Sequence, residues 1–216
     1  MSLDSQLQQS VLAEFNWEPS VAEGHIGVTA HAGVVTLSGY VDSYAKKQAA
    51  ETAARRVKGV KAVAEEIEVR LPFDATRSDT DIAAAAIERL SWNVSVPRDS
   101  VQVTVENGWI TLTGQVDWWF QKEAAENDVR PLNGVIGISN QTTVKPRVNT
   151  ANLSDDITHA LHRSWFFDPE AVHVRADGGR VVLSGSVRSI HERQVAAQTA
   201  WAAPGATMVE NHITVG

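Results

Sequence analysis

The sequence has no cysteine, which excludes disulfide bonds and thiolate chemistry. It also has no run of about 18 apolar residues, so we expect no membrane-spanning helix. Its first residues, MSLDSQLQQSVLAEF, lack the basic segment and apolar core of a secretory signal. We therefore expect a cytoplasmic protein as the sequence stands, and a periplasmic protein if the native N-terminus was replaced.

The sequence has fewer basic than acidic residues. The 216 residues include 19 lysines and arginines against 26 aspartates and glutamates, which gives a formal net charge of −7. Proteins that bind nucleic acids broadly derive much of their affinity from neutralising phosphates. The charge balance therefore predicts that nucleic acid is not a partner.

The known catalytic motifs are missing too. The sequence contains no glycine-rich dinucleotide motif, no P-loop and no nucleophile elbow. Adjacent carboxylates do occur, but Asp79 with Asp81 and Asp155 with Asp156 precede predicted helices, where negative charge complements the helix dipole. We expect no enzymatic activity and no cofactor.

Two histidines, His159 and His162, have a spacing that can hold a metal ion on a helix. Aligned with the rest of the sequence, they do not share one helix face, and no cysteine or acidic residue completes a ligand set. We therefore interpret them as ordinary histidines and predict no metal site.

What the sequence does contain is a unit repeated three times. In each copy one glycine is expected to close a strand, and a second glycine follows 20 residues later: Gly39 and Gly59, Gly114 and Gly134, Gly185 and Gly205. A spacing kept through three diverged copies is typical of a tandem repeat.

Each copy has the same predicted order of elements. A helical pattern comes first, and in the second copy Ile82, Ala86, Ile87 and Leu90 are expected to share its buried face. Two alternating strands follow, joined in this copy by the turn Asn107-Gly108. An alanine-rich helix is expected to end at the second glycine, and a last alternating strand completes the unit.

The sequence thus predicts an α+β protein of three αββαβ domains, each a three-stranded sheet covered on one face by two helices. The domains are expected at 1–72, 73–146 and 147–216. The pattern G-V-V-T-L-S-G-x-V, an alanine-rich helix and V-x-G-V-K-x-V resembles the BON domain, named for bacterial osmotic-shock and nodulation proteins. The third copy departs most, at 203–206.

The resemblance implies the αββαβ fold, a non-enzymatic role, and association with phospholipid surfaces or with envelope stress. For some relatives it implies binding of a small cation. It carries over no catalytic residues.

Tryptophan recurs after the first helix of every copy, as Trp17, Trp92 and Trp165. Recurrence in diverged copies is typical of structural residues, so we expect these three to be buried in the cores. Trp201 lies beside the expected buried stripe of the third copy's second helix. Trp109 lies on the strand face opposite Ile110 and Leu112, where it either stacks on a neighbouring copy or is exposed.

The second copy departs from the other two where its second helix begins. It has Trp118 in the slot that Ser43 and Ser189 fill elsewhere. Ser189 begins the pattern S-x-x-E, which is typical of a helix capping box. We expect Asp117 to provide the cap in the second copy.

Two further aromatic residues follow Trp118. Trp119 aligns with Tyr44 and Ile190, so an apolar side chain is ordinary at that position. Phe120 aligns with small or polar residues, where a large apolar side chain is not required. Positions that break a local rule in one copy are where function is expected, so Trp118 and Phe120 are the residues to explain.

The aromatic residues have two alternative roles, insertion into a lipid interface or packing between domains. Residues 73–146 include 6 basic and 10 acidic side chains. This balance opposes attraction to anionic lipid and slightly favours packing. A basic face lies instead on the first copy's second helix, where it either supports membrane contact or is an ordinary solvated face: Lys46, Lys47, Arg55 and Arg56.

The sequence therefore predicts a non-enzymatic binding or scaffold protein of the osmotic or envelope stress response. Its expected partner is a phospholipid surface or a protein, and self-association is left open. The candidate contact residues are Trp109, Trp118, Trp119 and Phe120 with the basic face. The alternatives are a potassium-type cation-binding module and a protein scaffold whose aromatics are buried between domains.

Overall fold

The computed structural model describes residues 2–21, 25–146, 152–163, 168 and 171–216. The chain divides into two compact units. The first comprises Met1–Val116 and Phe120–Thr143, and the second comprises Asp117–Trp119 and Val144–Gly216. The first unit thus contains most of two sequence copies, and the second contains the third copy with residues 117–119 of the second copy.

All three copies have the predicted order of elements. The first copy consists of α1 Leu3–Trp17, β1 His25–His31, β2 Val34–Val41, α2 Tyr44–Arg56 and β3 Ala62–Val69. A single 3-10 turn, Phe73–Ala75, follows it. The second copy consists of α3 Asp79–Trp92, β4 Val101–Glu106, β5 Trp109–Val116, α4 Trp119–Val129, β6 Gly137–Asn140 and β7 Thr143–Val144. The third consists of α5 Leu153–His162, β8 Val172–Asp177, β9 Arg180–Val187, α6 Ile190–Ala202 and β10 Met208–Val215.

The sheets share one topology, which confirms the predicted α+β class. The middle strand of each sheet pairs antiparallel with the strand before it and parallel with the last strand. In the second copy the last strand is broken at residues 141 and 142, and both of its pieces, β6 and β7, pair with β5. A parallel pair needs a crossover connection, which the second helix of each copy supplies.

A two-residue turn joins the first two strands of every copy. Asn107 and Gly108 have φ of 50° and 78°, the left-handed values that a type I′ turn requires. Asp79 holds this turn, because its carboxylate accepts the backbone N–H groups of Asn107 at 2.7 Å and Gly108 at 2.8 Å. Asp79, which the sequence placed at the helix dipole, therefore also fixes the hairpin to the start of α3.

The recurring glycines lie where a side chain cannot fit. Gly39, Gly114 and Gly185 have φ between 118° and 125°. A Cβ atom there would lie 2.0 to 2.1 Å from a backbone carbonyl oxygen at the start of the neighbouring strand or one residue before it. Each strand continues two residues beyond its glycine, so the prediction that the glycine closes the strand is wrong.

The second set of glycines lies in turns rather than at helix ends. Helix α2 ends at Arg56, three residues before Gly59, which has φ of 93° in the turn to β3. The prediction that the helix stops at this glycine is therefore wrong by less than one turn. The left-handed conformation still explains why glycine is required there.

The buried stripe of α3 is narrower than the sequence predicts. Ile82, Ala86 and Leu90 are buried in the core of the second copy. Ile87 is 60% exposed, because it lies about 140° around the helix from Ile82 whereas the three buried residues are spaced at about 40°. The prediction that Ile87 shares the buried face is wrong.

Candidate binding surfaces

The first residue after the capping slot is a packing position in all three copies. Tyr44 is buried in the first unit, where it joins the core that contains Ile82 and Ile110. Trp119, in the second unit, is half-buried and stacks on Trp201 with ring centroids 4.1 Å apart and an interplanar angle of 13°. Ile190 is also buried. Tyr44 thus carries the first copy's second helix into the core of the second copy.

The environment of Tyr44 favours its neutral form. Burial raises the pKa of the Tyr44 phenol, and the nearby Glu126 carboxylate adds to this effect, while Arg130 opposes it. An ionised phenolate is costly in an apolar core. Tyr44 is therefore a structural side chain whose charge state bears on stability.

The other two residues of the aromatic run, Trp118 and Phe120, differ in solvent exposure. Trp118 is half-buried, and Phe120 is 53% exposed. Asp117, the expected cap, forms an ion pair with Lys145 at 2.9 Å. The prediction that Trp118 and Phe120 contact a membrane or a partner therefore rests mainly on the exposed ring of Phe120.

The two serine caps form as predicted. Ser43 accepts a hydrogen bond from the backbone N–H of Lys46 at 3.4 Å, and Ser189 accepts one from Glu192 at 3.1 Å. The carboxylate of Glu192 accepts the N–H of Arg188 at 2.8 Å rather than that of Ser189. The box therefore closes one residue earlier than the sequence pattern suggests.

The basic face of α2 is lined by carboxylates. Each of its four predicted contact residues lies within ion-pair distance of at least one acidic side chain: Lys46 with Asp42 at 2.8 Å, Lys47 with Glu65 at 2.9 Å, Arg55 with Glu51, and Arg56 with Glu14 and Glu18 at 3.1 Å each. These carboxylates reduce the excess positive charge that an anionic surface would attract.

Lys47 belongs to an internal network that recurs in every copy. A cation on the second helix donates to a carbonyl of the last strand or, in the second copy, of the break in it: Lys47 to Ile67 at 2.8 Å, Lys122 to Thr142 at 2.7 Å, and Arg193 to Asn211 at 3.0 Å. Burial lowers the pKa of Lys122. These cations fasten helix to strand. They recur four residues after the capping slot, a signal that the sequence contained.

The recurring tryptophans are exposed rather than buried. Trp17 is 86% exposed and Trp92 is 80% exposed, so the prediction that they are core residues is wrong; Trp165 lies outside the described residues. Each follows the last buried residue of its helix, Phe15 or Leu90, by two positions. Two positions turn a helix by about 200°, which points the side chain away from the core.

Trp92 belongs to an exposed apolar patch. Ile87, Trp92 and Val94 are exposed together around the end of α3, and we call them the helix-end cluster. Beside Trp92 lies an open depression of about 600 Å³, lined in part by Val96 and Pro97. In the first copy Leu12 and Trp17 occupy the positions of Ile87 and Trp92 and are also exposed.

Trp109 lies on the open face of the second sheet. It is 48% exposed, whereas its chain neighbour Ile110 points to the other face and is buried. The histidines of α5, His159 and His162, are both exposed. Within the described ranges, no group of three histidine, aspartate or glutamate side chains could hold a metal ion, and no helix has the length and apolar character needed to cross a bilayer.

Known proteins resemble this chain in sequence or in fold to different extents. The osmotically-inducible protein Y of Escherichia coli K12 is 29% identical over 146 residues, which cover 66% of this chain and 73% of that protein. Two structures of CdsD, a structural protein of the Chlamydia trachomatis type III secretion system, cover 98% and 100% of this chain and 92% and 99% of their own, each at 16% identity with a TM-score of 0.28. That likeness supports no conclusion.

One domain family matches all three copies of the repeated unit. The BON domain matches residues 3–70, 78–146 and 149–216, once for each αββαβ copy. The resemblance seen in the strand and helix motifs is therefore confirmed, and the chain belongs to the BON domain family.

Proposed function

We propose that this protein is a non-enzymatic binding protein of the osmotic or envelope stress response, and that it attaches to phospholipid surfaces through the exposed apolar side chains at the ends of α1 and α3. The observation that carries the proposal is the exposure of a tryptophan at the same place in two copies. Tryptophan favours the headgroup layer of a bilayer, where its ring is partly apolar and its N–H stays hydrated.

The helix-end cluster is suited to shallow insertion. Its members are an aliphatic side chain, an aromatic ring and a fully exposed valine, Ile87, Trp92 and Val94. Exposed apolar side chains that cluster at one place are typical of interaction sites. Arg89 and Arg98, both exposed, lie nearby in the sequence and can reach phosphate groups. Insertion therefore draws on apolar burial first and on charge second.

This proposal moves the lipid contact away from the aromatic run. Trp119 stacks on Trp201, which uses its ring inside the second unit. Phe120 is exposed, but it is a single side chain rather than a cluster, so the proposal does not use it. Lys46 and Lys47 attract anionic lipid less strongly than free lysines would, because each pairs with a carboxylate.

Co-sedimentation with phosphatidylcholine vesicles tests the proposal. The double variant Trp92→Ser with Val94→Ser should bind at least about tenfold less well than the wild type, since burying two such side chains is worth more than 1.4 kcal/mol. Both side chains are exposed, so the variant should unfold at the wild-type temperature, as circular dichroism can check.

The matched control is Phe120→Ser, which removes an exposed aromatic side chain from the run and should leave vesicle binding unchanged. If the wild type does not bind vesicles, or if the double variant binds like the wild type, the proposal is wrong. If Phe120→Ser alone abolishes binding, the contact lies at the aromatic run instead of the helix-end cluster.

The stress role has a separate basis, the name of the osmotically-inducible relative. We expect the protein to become more abundant in its native cells after a rise in external osmolarity. Quantitative immunoblotting before and after the shift measures this, and an unchanged level contradicts the stress role without affecting the lipid proposal.

A further inference from the structure

The open face of the second sheet carries a set of side chains that the lipid proposal does not use. Strand register places six side chains from β4 and β5 on this face, opposite the buried Ile110 and Leu112: Gln102, Thr104, Glu106, Trp109, Thr111 and Thr113. Strand β6 adds Gly137 and Ser139 to the same face. One aromatic ring is therefore surrounded by hydroxyl and amide groups. We call this set the Trp109 face.

The ring of Trp109 lies directly over β6. Trp109 pairs with Gly137 in the parallel register, and a Cβ atom on Gly137 would lie 2.3 Å from two ring carbons, Cε3 and Cζ3. The indole thus occupies the space that any side chain at 137 would fill, and Gly137 is required for the ring to sit there. Since Trp109 is still 48% exposed, it offers a ring surface to solvent.

The other two copies have no tryptophan at this position. The position of Trp109 is held by Val34 in the first sheet and by Arg180 in the third. The open face of the first sheet carries charged side chains, including Glu66, Glu68 and Arg70. In the third sheet Arg180 forms a two-pronged ion pair with Glu210 at 2.8 and 2.9 Å. Glu106 is the single carboxylate among the described side chains of the Trp109 face.

The composition of the Trp109 face limits what it can bind. Apart from one ring it has almost no apolar area, whereas a protein partner or a bilayer needs an apolar centre of several side chains. It has no basic group for a phosphate or carboxylate ligand. A neutral ligand with one apolar face and many hydroxyl groups fits, because the ring would cover the apolar face while threonine, glutamine and carboxylate groups hydrogen-bond to the hydroxyls.

We propose that the Trp109 face is a binding site for a neutral carbohydrate, with one sugar ring lying against the Trp109 indole. Gly137 leaves the space over β6 that the indole occupies. Glu106, which pairs directly with Trp109 across the strands, accepts hydrogen bonds from sugar hydroxyls, and Thr104 and Thr111 beside it supply both donors and acceptors.

Isothermal titration of the full chain with uncharged oligosaccharides tests this inference, using hexamers of β-1,4-linked glucose and of β-1,4-linked N-acetylglucosamine. We expect saturable binding of at least one hexamer, and an association constant about tenfold lower in Trp109→Val. Valine is the residue that the first copy has at this position, so the variant should fold.

A second variant tests whether the position of the indole matters for binding as well as its presence. Gly137→Ala keeps the indole but displaces it, and it should also weaken binding about tenfold, with indole NMR shifts reporting the displacement. Trp92→Ser removes an exposed tryptophan from another surface and should bind sugar like the wild type. The inference is overturned if neither hexamer binds at concentrations up to about 10 mM, or if Trp109→Val binds as tightly as the wild type.

Discussion

At the scale of single residues, close approach between backbones decides where glycine must stand. Gly185 has φ of 125°, and a Cβ there would lie 2.0 Å from the carbonyl oxygen of Ala171. Gly178 has φ of 53°, but open space surrounds its Cβ position. Both glycines therefore have left-handed backbones, yet only the first is also fixed by sterics.

This contrast gives a paired prediction for the third copy. Gly185→Ala should lower the free energy of unfolding by roughly 3 kcal/mol or more, because the backbone of β8 or β9 must move to admit the methyl group. Gly178→Asn should change it by less than about 0.5 kcal/mol, since asparagine tolerates this conformation and Asn107 occupies the same turn position. Urea unfolding measures both, and equal effects contradict the steric account.

Tyr44 makes stability depend on pH at the alkaline end. Its folded-state pKa is raised by burial and by Glu126, so the folded protein retains the phenol proton at pH values where the unfolded chain loses it. Below the ordinary phenol pKa of about 10 both states are protonated and the contribution is constant. As pH rises above that value, the unfolded chain releases its phenol proton first. The free energy of unfolding therefore falls.

We therefore expect the free energy of unfolding to fall more steeply in the wild type than in Tyr44→Phe between about pH 10 and 11. Urea titrations at a series of pH values provide the measurement. Tyr40→Phe is the control, because Tyr40 lies on the open face of the first sheet and stacks on His25 there. Parallel curves for the wild type and Tyr44→Phe contradict the assignment.

At the scale of elements, each second helix is held at two points. Its first residue packs into a core or onto a ring, as Tyr44 and Trp119 do. One turn later a cation reaches the last strand or the break in it, as Lys122 does when it donates to the carbonyl of Thr142, between β6 and β7, at 2.7 Å. Neighbouring side chains of the same helix, such as Phe120, point to solvent. An aromatic side chain at the first position of the helix is therefore part of the packing, whereas one at the next position is on the surface.

Two alanine substitutions in α4 test this separation. Trp119→Ala should lower the free energy of unfolding by roughly 2 to 3 kcal/mol, because it removes a half-buried ring and its stack on Trp201. Phe120→Ala should change it by less than about 0.5 kcal/mol, as is usual for exposed positions. Thermal and urea unfolding of both variants give the comparison, and a larger effect at Phe120 contradicts it.

At the scale of the whole molecule, charge and apolar exposure point to different kinds of partner. The net charge is −7, and the cations Lys47 and Arg56 lie against carboxylates. The helix-end cluster is apolar and lies in the second copy, whose residues 73–146 include 6 basic and 10 acidic side chains. A lipid contact made by this protein must therefore rely on inserted side chains rather than on long-range attraction.

This balance predicts a weak dependence of vesicle binding on salt and on lipid charge. Raising the NaCl concentration from about 0.05 to 0.5 M should change binding to phosphatidylcholine vesicles less than twofold, because screening acts on charge and not on apolar burial. Adding anionic lipid should not strengthen binding. A steep loss with salt, or a strong preference for anionic vesicles, would show that basic side chains carry the contact.

The sequence by itself determined the three copies, their αββαβ order, the two-residue turn at Asn107-Gly108 and the serine caps. These features depend on local periodicity, turn chemistry and backbone sterics, which act between residues near in the chain. The same local logic, followed two positions further, would have placed Trp92 outside the core, since it lies about 200° around the helix from Leu90.

Only the tertiary structure decided which partners the side chains find. It placed Tyr44 in the core of the following copy, Trp119 on Trp201, and the ring of Trp109 over Gly137. It also paired the basic face with carboxylates from other elements, as Arg56 with Glu14. Contacts between residues far apart in the chain depend on how elements pack, and one sequence pattern is compatible with a buried or an exposed ring.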